Sequence, residues 1–427
     1  MSRRSQEPPI PAANGTGVRI LINAVAARMG GSATHLPNFL RTAGRRFPDE
    51  TLIVCVNAQW RLPDLPLNIR VIRAGALEHR LAHAAWDLWG VVRVAVHEHA
   101  DVLVSLLNFG PVRCPIPQIV FQRNPVYYCQ DYLRTLSPLR ALEIAATRAL
   151  AHAVMRSSRR IITPSAAMRE MIRRFHPDLP PAKFCVIPHG FGQEHFASGG
   201  ALPADSPPPG AAAPSAGGLP PGVAETLQTS AGLRVLYVSH AAPYKGIEIL
   251  LDAARHLNDR AFPSTVWLTV AREDWPEGVP RYQAFIREHG LAGRVKLLGR
   301  ILHAAVPHLY EAADVFVYPS FCESFGFPLV EAMASGLPVV AADLPLNREM
   351  CGEAAVYYPP HDAAALAAAI MHLAADEPRR GAMAAAGRAR AQQFSWDAHV
   401  DAVMTVARQA AGERPRVGAA GRGPVRR

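Results

Sequence analysis

The stretch Asp314-Val315-Phe316-Val317-Tyr318-Pro319-Ser320-Phe321-Cys322-Glu323-Ser324-Phe325-Gly326-Phe327-Pro328-Leu329-Val330-Glu331-Ala332-Met333-Ala334-Ser335-Gly336 changes backbone period partway along. Its first five residues are an apolar run that reads as a buried strand leaving its sheet at Pro319-Ser320. A short loop with Glu323 and Gly326 follows. Pro328 can then open a helix at its first position, where its missing N–H costs nothing, and Gly336 is placed to close that helix after Ser335. Strand, loop and helix in this order belong to a crossover unit of a parallel α/β sheet. Glu331 is expected in the first helical turn and Glu323 in the loop before it. Both then face the crevice beyond the carboxyl end of a strand, where open α/β sheets bind ligands.

Ionised carboxylates only accept hydrogen bonds, which suits the vicinal hydroxyls of a ribose or hexose. The unpaired N–H groups at the helix start, around Phe327 to Val330, suit a diphosphate. Glu323 and Glu331, with Ser324, Phe325, Gly326 and Phe327 between them, resemble the E-x7-E signature of retaining glycosyltransferases of family 4, the glycosyl transferases group 1. Pro319-Ser320, Phe325-Gly326-Phe327-Pro328 and Glu331-Ala332-Met333-Ala334-Ser335-Gly336-Leu337-Pro338-Val339 also follow that pattern.

The chain has 427 residues, 49% of them hydrophobic, enough for two packed domains. Residues 18–190 alternate apolar runs with amphipathic stretches. Strands are expected at Val18–Ala24, Thr51–Val56, Asp101–Leu106, Gln118–Phe121 and Arg160–Thr163. Helices are expected at Ser32–Arg46, Leu77–His99, Pro138–Met155 and Ala166–Phe175. A Pro-, Gly- and Ala-rich segment, 191–232, reads as a linker or insertion. A second alternating block, 233–395, carries strands at Leu233–Ser239, Thr265–Ala271, Val295–Leu298, Asp314–Tyr318, Pro338–Ala342 and Ala355–Tyr358. Its helices are expected at Ile247–Asn258, Tyr282–His289, Ala304–Ala312, Leu329–Ser335 and Asp362–Ala375. The simplest architecture is α/β, with two doubly wound, Rossmann-like domains facing each other across a cleft. The resemblance implies the GT-B fold, with the donor on the second domain, the acceptor on the first, and the last helix (396–411) crossing back to the first domain. The ends, 1–17 and 412–427, lack periodic apolar residues and read as disordered tails.

Further candidates follow from position. Lys245 comes directly after the first strand of the second block and precedes Gly246 and a helix, a place suited to a diphosphate. Within the resembled family such a lysine binds the donor phosphates, commonly with an arginine five residues earlier. Here that position is His240, so either His240 gives a protonation-dependent contact or another cation such as Arg272 substitutes. Gly30-Gly31-Ser32 forms a turn that lets backbone amides approach an anion or sugar. Ile187-Pro188-His189-Gly190-Phe191 resembles the family's Ile-Pro-Asn-Gly-Val segment, with Gly190 as hinge and His189 as a donor contact or a structural residue. Leu298-Gly299-Arg300 matches the segment that lines the base pocket in the family, although Arg300 could be a plain surface charge. Gln122 and Asn124, at a strand end of the first domain, are acceptor-side candidates.

The net charge is +10, and a basic cluster of Arg156, Arg159, Arg160, Arg169, Arg173 and Arg174 surrounds one short strand. It fits either a solvated face or peripheral contact with an anionic membrane near a lipid-linked acceptor. Aromatics are not interleaved with the arginines, which argues against nucleic acid. Scattered cysteines without a C-x-x-C pair argue against a zinc site or a disulfide framework. No apolar leader or membrane-length run is present, so a cytoplasmic protein is expected, at most peripheral on the inner membrane face. No Asp-x-Asp pair occurs, so a divalent-metal clamp on a diphosphate has no obvious ligands and no metal or other cofactor is expected.

The resemblance therefore implies a metal-independent retaining hexosyltransferase. It would use a nucleotide-diphosphate sugar, of GDP-mannose or UDP-sugar type, and a glycan or lipid-linked saccharide in bacterial surface polysaccharide or lipopolysaccharide assembly. Two alternatives stay open: a sugar phosphorylase of the same fold, and a non-catalytic family member serving as a partner subunit.

Overall fold

The computed structural model describes residues 17–26, 31–60, 62, 64–75, 80–192, 196 and 219–412. Gly30 and both tails beyond these limits lie outside the described residues, as does 197–218 within the segment read as a linker. Two parallel sheets organise the chain. The first contains β1 (Arg19–Asn23), β2 (Thr51–Asn57), β3 (Ile69–Ala74), β4 (Val102–Ser105), β5 (Gln118–Phe121), β6 (Arg160–Thr163) and β7 (Phe184–Val186). Its order is β3-β2-β1-β4-β5-β6-β7. The second contains β8 (Leu233–Tyr237), β9 (Ser264–Leu268), β10 (Val295–Leu297), β11 (Val315–Tyr318), β12 (Val339–Ala342) and β13 (Ala355–Tyr358). Its order is β10-β9-β8-β11-β12-β13. Both orders reverse direction once, between β1 and β4 and between β8 and β11. These are doubly wound, Rossmann-like sheets, as expected, and each places a ligand crevice at its reversal point.

Strands covered by helices on both faces must be apolar throughout, and the central strands obey this. Every residue of β4, β5, β9, β11 and β12 is buried. Two strands escaped the sequence reading. In β3 the exposed Arg70 and Arg73 interrupt the apolar run, as an edge strand allows, and β7 is three half-buried residues long. The stretch expected as one helix over Leu77–His99 is broken by a π-helical turn at Trp86–Gly90 between Arg80–Ala85 and Val91–His97. The segment read as a linker is structured in its second half. Pro221–Thr229 is a helix, and Val223 and Leu227 pack into the core of the second sheet beside Phe316 and Trp267. The helix Glu377–Ala391 was also not anticipated, because its Gly- and Arg-rich sequence has little apolar periodicity.

The last helix, Trp396–Gly412, lies against the helix Gly31–Arg46 and against β4 and β5. Val400, Val403, Met404 and Ala407 enter the same core as Ile20, Leu36, Phe39 and Phe121. The chain therefore passes between the domains twice, and the two passages touch: Phe191 N–H donates to Phe394 O over 2.8 Å. Gly190 sits at this crossing. A Cβ there would lie 2.5 Å from the Trp396 indole and 2.7 Å from its Cα. Gly190→Ala is therefore expected to destabilise the protein by about 1–3 kcal/mol, as overpacking does. Urea unfolding checks this, and unchanged stability would show that the two passages are not held in contact.

Candidate functional site

The turn after β8 and the loop after β11 meet at the reversal point of the second sheet. Gly246 makes this possible. It adopts φ +67° in the turn before the helix Ile247–Asp259, and a Cβ there would lie 2.3 Å from Pro319 O at the end of β11. Only glycine tolerates both the left-handed backbone and the close approach. The turn brings Lys245 against the β11 loop, where Nζ donates to Glu323 Oε1 over 2.6 Å. The Lys245 side chain is 7% exposed and that of Glu323 16%. Ser320 Oγ donates to the same Glu323 oxygen over 2.7 Å. Burial pushes the Glu323 carboxyl up, but the Lys245 charge and the hydrogen bonds from Lys245 and Ser320 outweigh it, so Glu323 titrates below the usual carboxylate range.

Gly326, at φ +77°, turns the chain into the helix Phe327–Ala334, with Pro328 in its first turn. Glu331 is the fifth residue of this helix, so it lies beyond the first turn in which the sequence placed it. It is buried, and both oxygens are held: Tyr310 Oη donates to Oε2 over 2.9 Å, and His303 Nε2 faces Oε1 at 3.2 Å. Tyr310 lies on Val306–Ala312 and His303 on the turn before it. The sequence reading missed both. Their signal is spatial, because neither lies within a stretch that carries a motif.

His240 is exposed beside Lys245. Partial desolvation, then the Lys245 ammonium, holds its ring below the usual histidine range. In the ligand-free site this favours the neutral ring, and the negative charge of a diphosphate would raise it again, so any contact from His240 depends on protonation. Arg300 is 63% exposed and pairs with Asp274 at 2.6 Å. Gly299, at φ +74°, has open space where a side chain would be. Arg272 is exposed after the end of β9. Gly31 opens the first helix of the chain.

Several contacts join the domains around this site. Ser165 Oγ donates to Ser324 O over 2.7 Å, and Cys129 Sγ to Phe321 O over 3.6 Å. The Tyr132 ring meets Tyr244 edge-on at 5.3 Å. Glu349 of the second domain accepts from the Ala166 and Ala167 N–H groups at 2.7 and 2.8 Å, capping the helix Ala166–Phe175 of the first. His189 is buried and stacks on Phe327 at 5.5 Å, edge-on to Phe325 at 5.1 Å. It therefore positions the helix start and does not offer itself to the cleft. Gln122 is fully buried with Nε2 on Asn108 O at 2.8 Å, whereas Asn124 is half-buried and accepts from Val126 N–H at 3.2 Å through Oδ1.

The ring nitrogens of His35, His189 and His399 lie within 4.8 Å of one another, all buried. His399 Nδ1 must carry its proton, since it faces Pro188 O at 2.7 Å. His399 Nε2 is therefore bare and accepts from His35 Nε2 at 3.0 Å. Burial lowers all three histidines, His399 to about 4. Both ring nitrogens of His399 are thus spent inside the protein, on Pro188 O and on His35, and the Arg123 cation adds to the positive potential around the cluster. The cluster thus reads as interdomain packing. The basic cluster seen in the sequence is partly neutralised: Arg169 and Arg173 pair with Glu170 at 3.0 and 3.4 Å, and Arg156 approaches Asp178 at 3.9 Å.

The Lys245–Glu323 pair sets a pH dependence. Glu323 titrates below its unfolded value, so it stabilises the fold above that value, and the contribution disappears as pH falls through the folded pKa. In Lys245→Met the charge and hydrogen bond of Lys245 are gone and only the Ser320 and Tyr318 hydroxyls still oppose burial, so the carboxyl titrates higher and its stabilisation at neutral pH is lost. The stability difference between wild type and variant is therefore expected to grow from acid to neutral pH and level near about 3–5 kcal/mol. Urea unfolding across the carboxylate range measures it, and a difference independent of pH would contradict the coupling. Tyr310→Phe, which withdraws one donor from buried Glu331, is expected to cost about 1.5–3 kcal/mol in the same measurement. No loss would show that Glu331 is held without it.

Residues 227–390 match the family described as Glycosyl transferases group 1. O-antigen chain mannosyltransferase B of Escherichia coli is 30% identical over 240 residues, 55% of this chain and 62% of that protein. The matched stretch thus spans less than two thirds of that relative. Among solved structures, sucrose-phosphate synthase from Thermosynechococcus elongatus superposes with a TM-score of 0.71 at 21% identity, covering 93% of this chain and 100% of that one. Anabaena HepE in complex with UDP-glucose superposes with a TM-score of 0.62 at 20% identity, over 92% of this chain and 98% of that one. The chain has the GT-B fold, and its second domain, which carries Lys245, Glu323 and Glu331, is the part that matches the glycosyl transferase family.

Proposed function

We propose that this protein is a retaining glycosyltransferase. It moves a hexose from a nucleotide-diphosphate sugar, of GDP-mannose or UDP-sugar type, to a glycan or lipid-linked saccharide without a metal. The observation that carries this reading is the buried pairing of Lys245 with Glu323 at the β8/β11 reversal point, beside a helix start and a doubly held Glu331. The E. coli relative, named for mannose transfer in O-antigen chains, supports a sugar donor and a surface-polysaccharide acceptor. The UDP-glucose bound to HepE supports a nucleotide-sugar in this fold.

The geometry suggests how each group acts. A diphosphate entering the site draws Lys245 onto its own oxygens, which releases Glu323 to accept from hexose hydroxyls. Lys245 and the N–H groups at the start of Phe327–Ala334 then offset charge growing on the departing diphosphate. The reacting sugar passes through an oxocarbenium-like state. Glu331, oriented by Tyr310 and His303, accepts from the ribose. The acceptor attacks from the face the diphosphate leaves, which retains the anomeric configuration. Contact between the domains excludes water and favours transfer over hydrolysis.

No helix among the described residues is long and apolar enough to cross a membrane. A peripheral position on the inner membrane face, close to a lipid-linked acceptor, is supported by Leu139 and Leu142, which are 79% and 68% exposed beside Arg140 on the helix Pro138–Ser157.

Turnover of a GDP- and UDP-sugar panel tests the reading. Lys245→Ala and Glu331→Ala are each expected to lower kcat/KM by about 100- to 1,000-fold. Near wild-type transfer in both would sink the assignment. Chelation with EDTA is expected to leave the rate unchanged, and a loss restored by a divalent cation would contradict metal independence.

A further inference from the structure

All six cysteines are free thiols, and two of them meet where the domains touch. Cys129 belongs to the first domain, between β5 and the short helix Gln130–Arg134. Cys322 belongs to the second, in the loop after β11, and directly precedes Glu323. Cys129 Sγ donates to Phe321 O over 3.6 Å, and that carbonyl is bonded to the Cys322 nitrogen. The two thiols also hydrogen-bond to each other. Both are buried, at 5% and 1% exposure. Neighbouring contacts hold the junction on either side: Ser165 Oγ reaches Ser324 O at 2.7 Å, and the Tyr132 ring meets Tyr244 at 5.3 Å. Two thiols from distant parts of the sequence thus stand side by side next to Glu323, and the transfer chemistry proposed above uses neither.

Their surroundings differ as those of an attacking and a resolving sulfur do. The hydrogen bond with Cys322 outweighs burial and, with the Tyr132 and Asp131 N–H groups, holds the Cys129 thiol below its ordinary range. Burial, then the hydrogen bond to Cys129, pushes the Cys322 thiol up. We propose that Cys129 and Cys322 are a modification site, forming a reversible disulfide that ties the first domain to the loop carrying Glu323 and blocks donor exchange. The oxidant is a hydroperoxide, small enough to reach the pair when the domain angle changes. With hydrogen peroxide, the Cys129 sulfur gives up its proton and attacks one oxygen. An S–O bond forms, the O–O bond breaks, and the other oxygen leaves as water. The Cys322 sulfur then attacks the Cys129 sulfur: the S–S bond forms, the S–O bond breaks, and the hydroxyl leaves as water with the Cys322 proton. Two thiols are oxidised by two electrons and one peroxide is reduced to two waters. A dithiol reverses the bond by exchange. The disulfide itself does not depend on the glycosyltransferase reading, and only its effect on the donor rests on it.

Peptide mapping of the whole protein after hydrogen peroxide and alkylation, without reductant, tests the bond. Calorimetric titration of reduced and oxidised protein with UDP and GDP tests its effect. A peptide pair joined through Cys129 and Cys322 is expected in wild type, absent after dithiothreitol and absent from Cys129→Ser. Oxidised wild type is expected to bind UDP or GDP at least about tenfold more weakly than reduced protein, with dithiothreitol restoring the affinity. Peroxide-treated Cys129→Ser is expected to keep the affinity of its reduced form. Should that variant fail to fold, the wild-type map and its reversal by dithiothreitol decide. Cys129 and Cys322 recovered unlinked after peroxide would overturn the proposal, as would a joined pair with unchanged nucleotide affinity. Equal loss of affinity in oxidised Cys129→Ser would also overturn it, because the loss would then come from another residue. A reduced wild type that binds neither UDP nor GDP would overturn the donor reading, whereas the joined peptide would still support the disulfide.

Discussion

An ammonium and a carboxylate lie 2.6 Å apart, nearly out of solvent, where the two central strands of the second sheet end. Each would be costly to bury alone, and together they fix how the turn after β8 sits on the loop after β11. Gly246 permits the approach, Ser320 shares the load on Glu323, and the chain then turns through Gly326 into the helix that carries Glu331. The pair adds less to net stability than its attraction suggests, since desolvation offsets most of the gain. Its larger effect is specific: it keeps a charged, exchangeable contact at the place where a doubly wound sheet receives ligands.

The first domain completes the site from the other side. Ser165 reaches the backbone of Ser324, Glu349 caps a helix across the gap, and Tyr132 meets Tyr244 next to Lys245. Trp396 and His399, on the last helix, press on Gly190 and on the carbonyl of Pro188. The chain's return to the first domain is thus tied to the crossing residues and to the wall of the cleft. A change of domain angle must disturb these contacts, so motion and ligand binding share the same residues.

Much of the fold was legible because periodicity is local. The largely buried β5 and β6 and the half-buried β13 were read to the residue from their apolar runs, and Pro328 and Gly336 bracketed the helix that holds Glu331. What was missed depends on tertiary context. β3 is an edge strand whose arginines interrupt the apolar pattern, and the helix Pro221–Thr229 is short and enclosed in a Pro- and Gly-rich stretch. The site divides the same way. The spacing of Glu323, Glu331 and Lys245 could be read along the chain. Tyr310 and His303 could not, because they reach Glu331 from 21 and 28 positions away through the packing of a different helix. Gln122 and Asn124 were read as acceptor-side residues because β5 ends there, and sequence does not show that the Gln122 side chain is buried against Asn108.

Hydrogen–deuterium exchange of the whole protein with and without saturating UDP or GDP tests the central claim most directly. The account expects one of these nucleotides to slow exchange in two separated segments, around 245–250 after β8 and around 323–331 after β11. Protection in only one of the two, protection elsewhere, or none with either nucleotide would contradict the view that the Lys245–Glu323 junction is where a nucleotide-linked sugar binds.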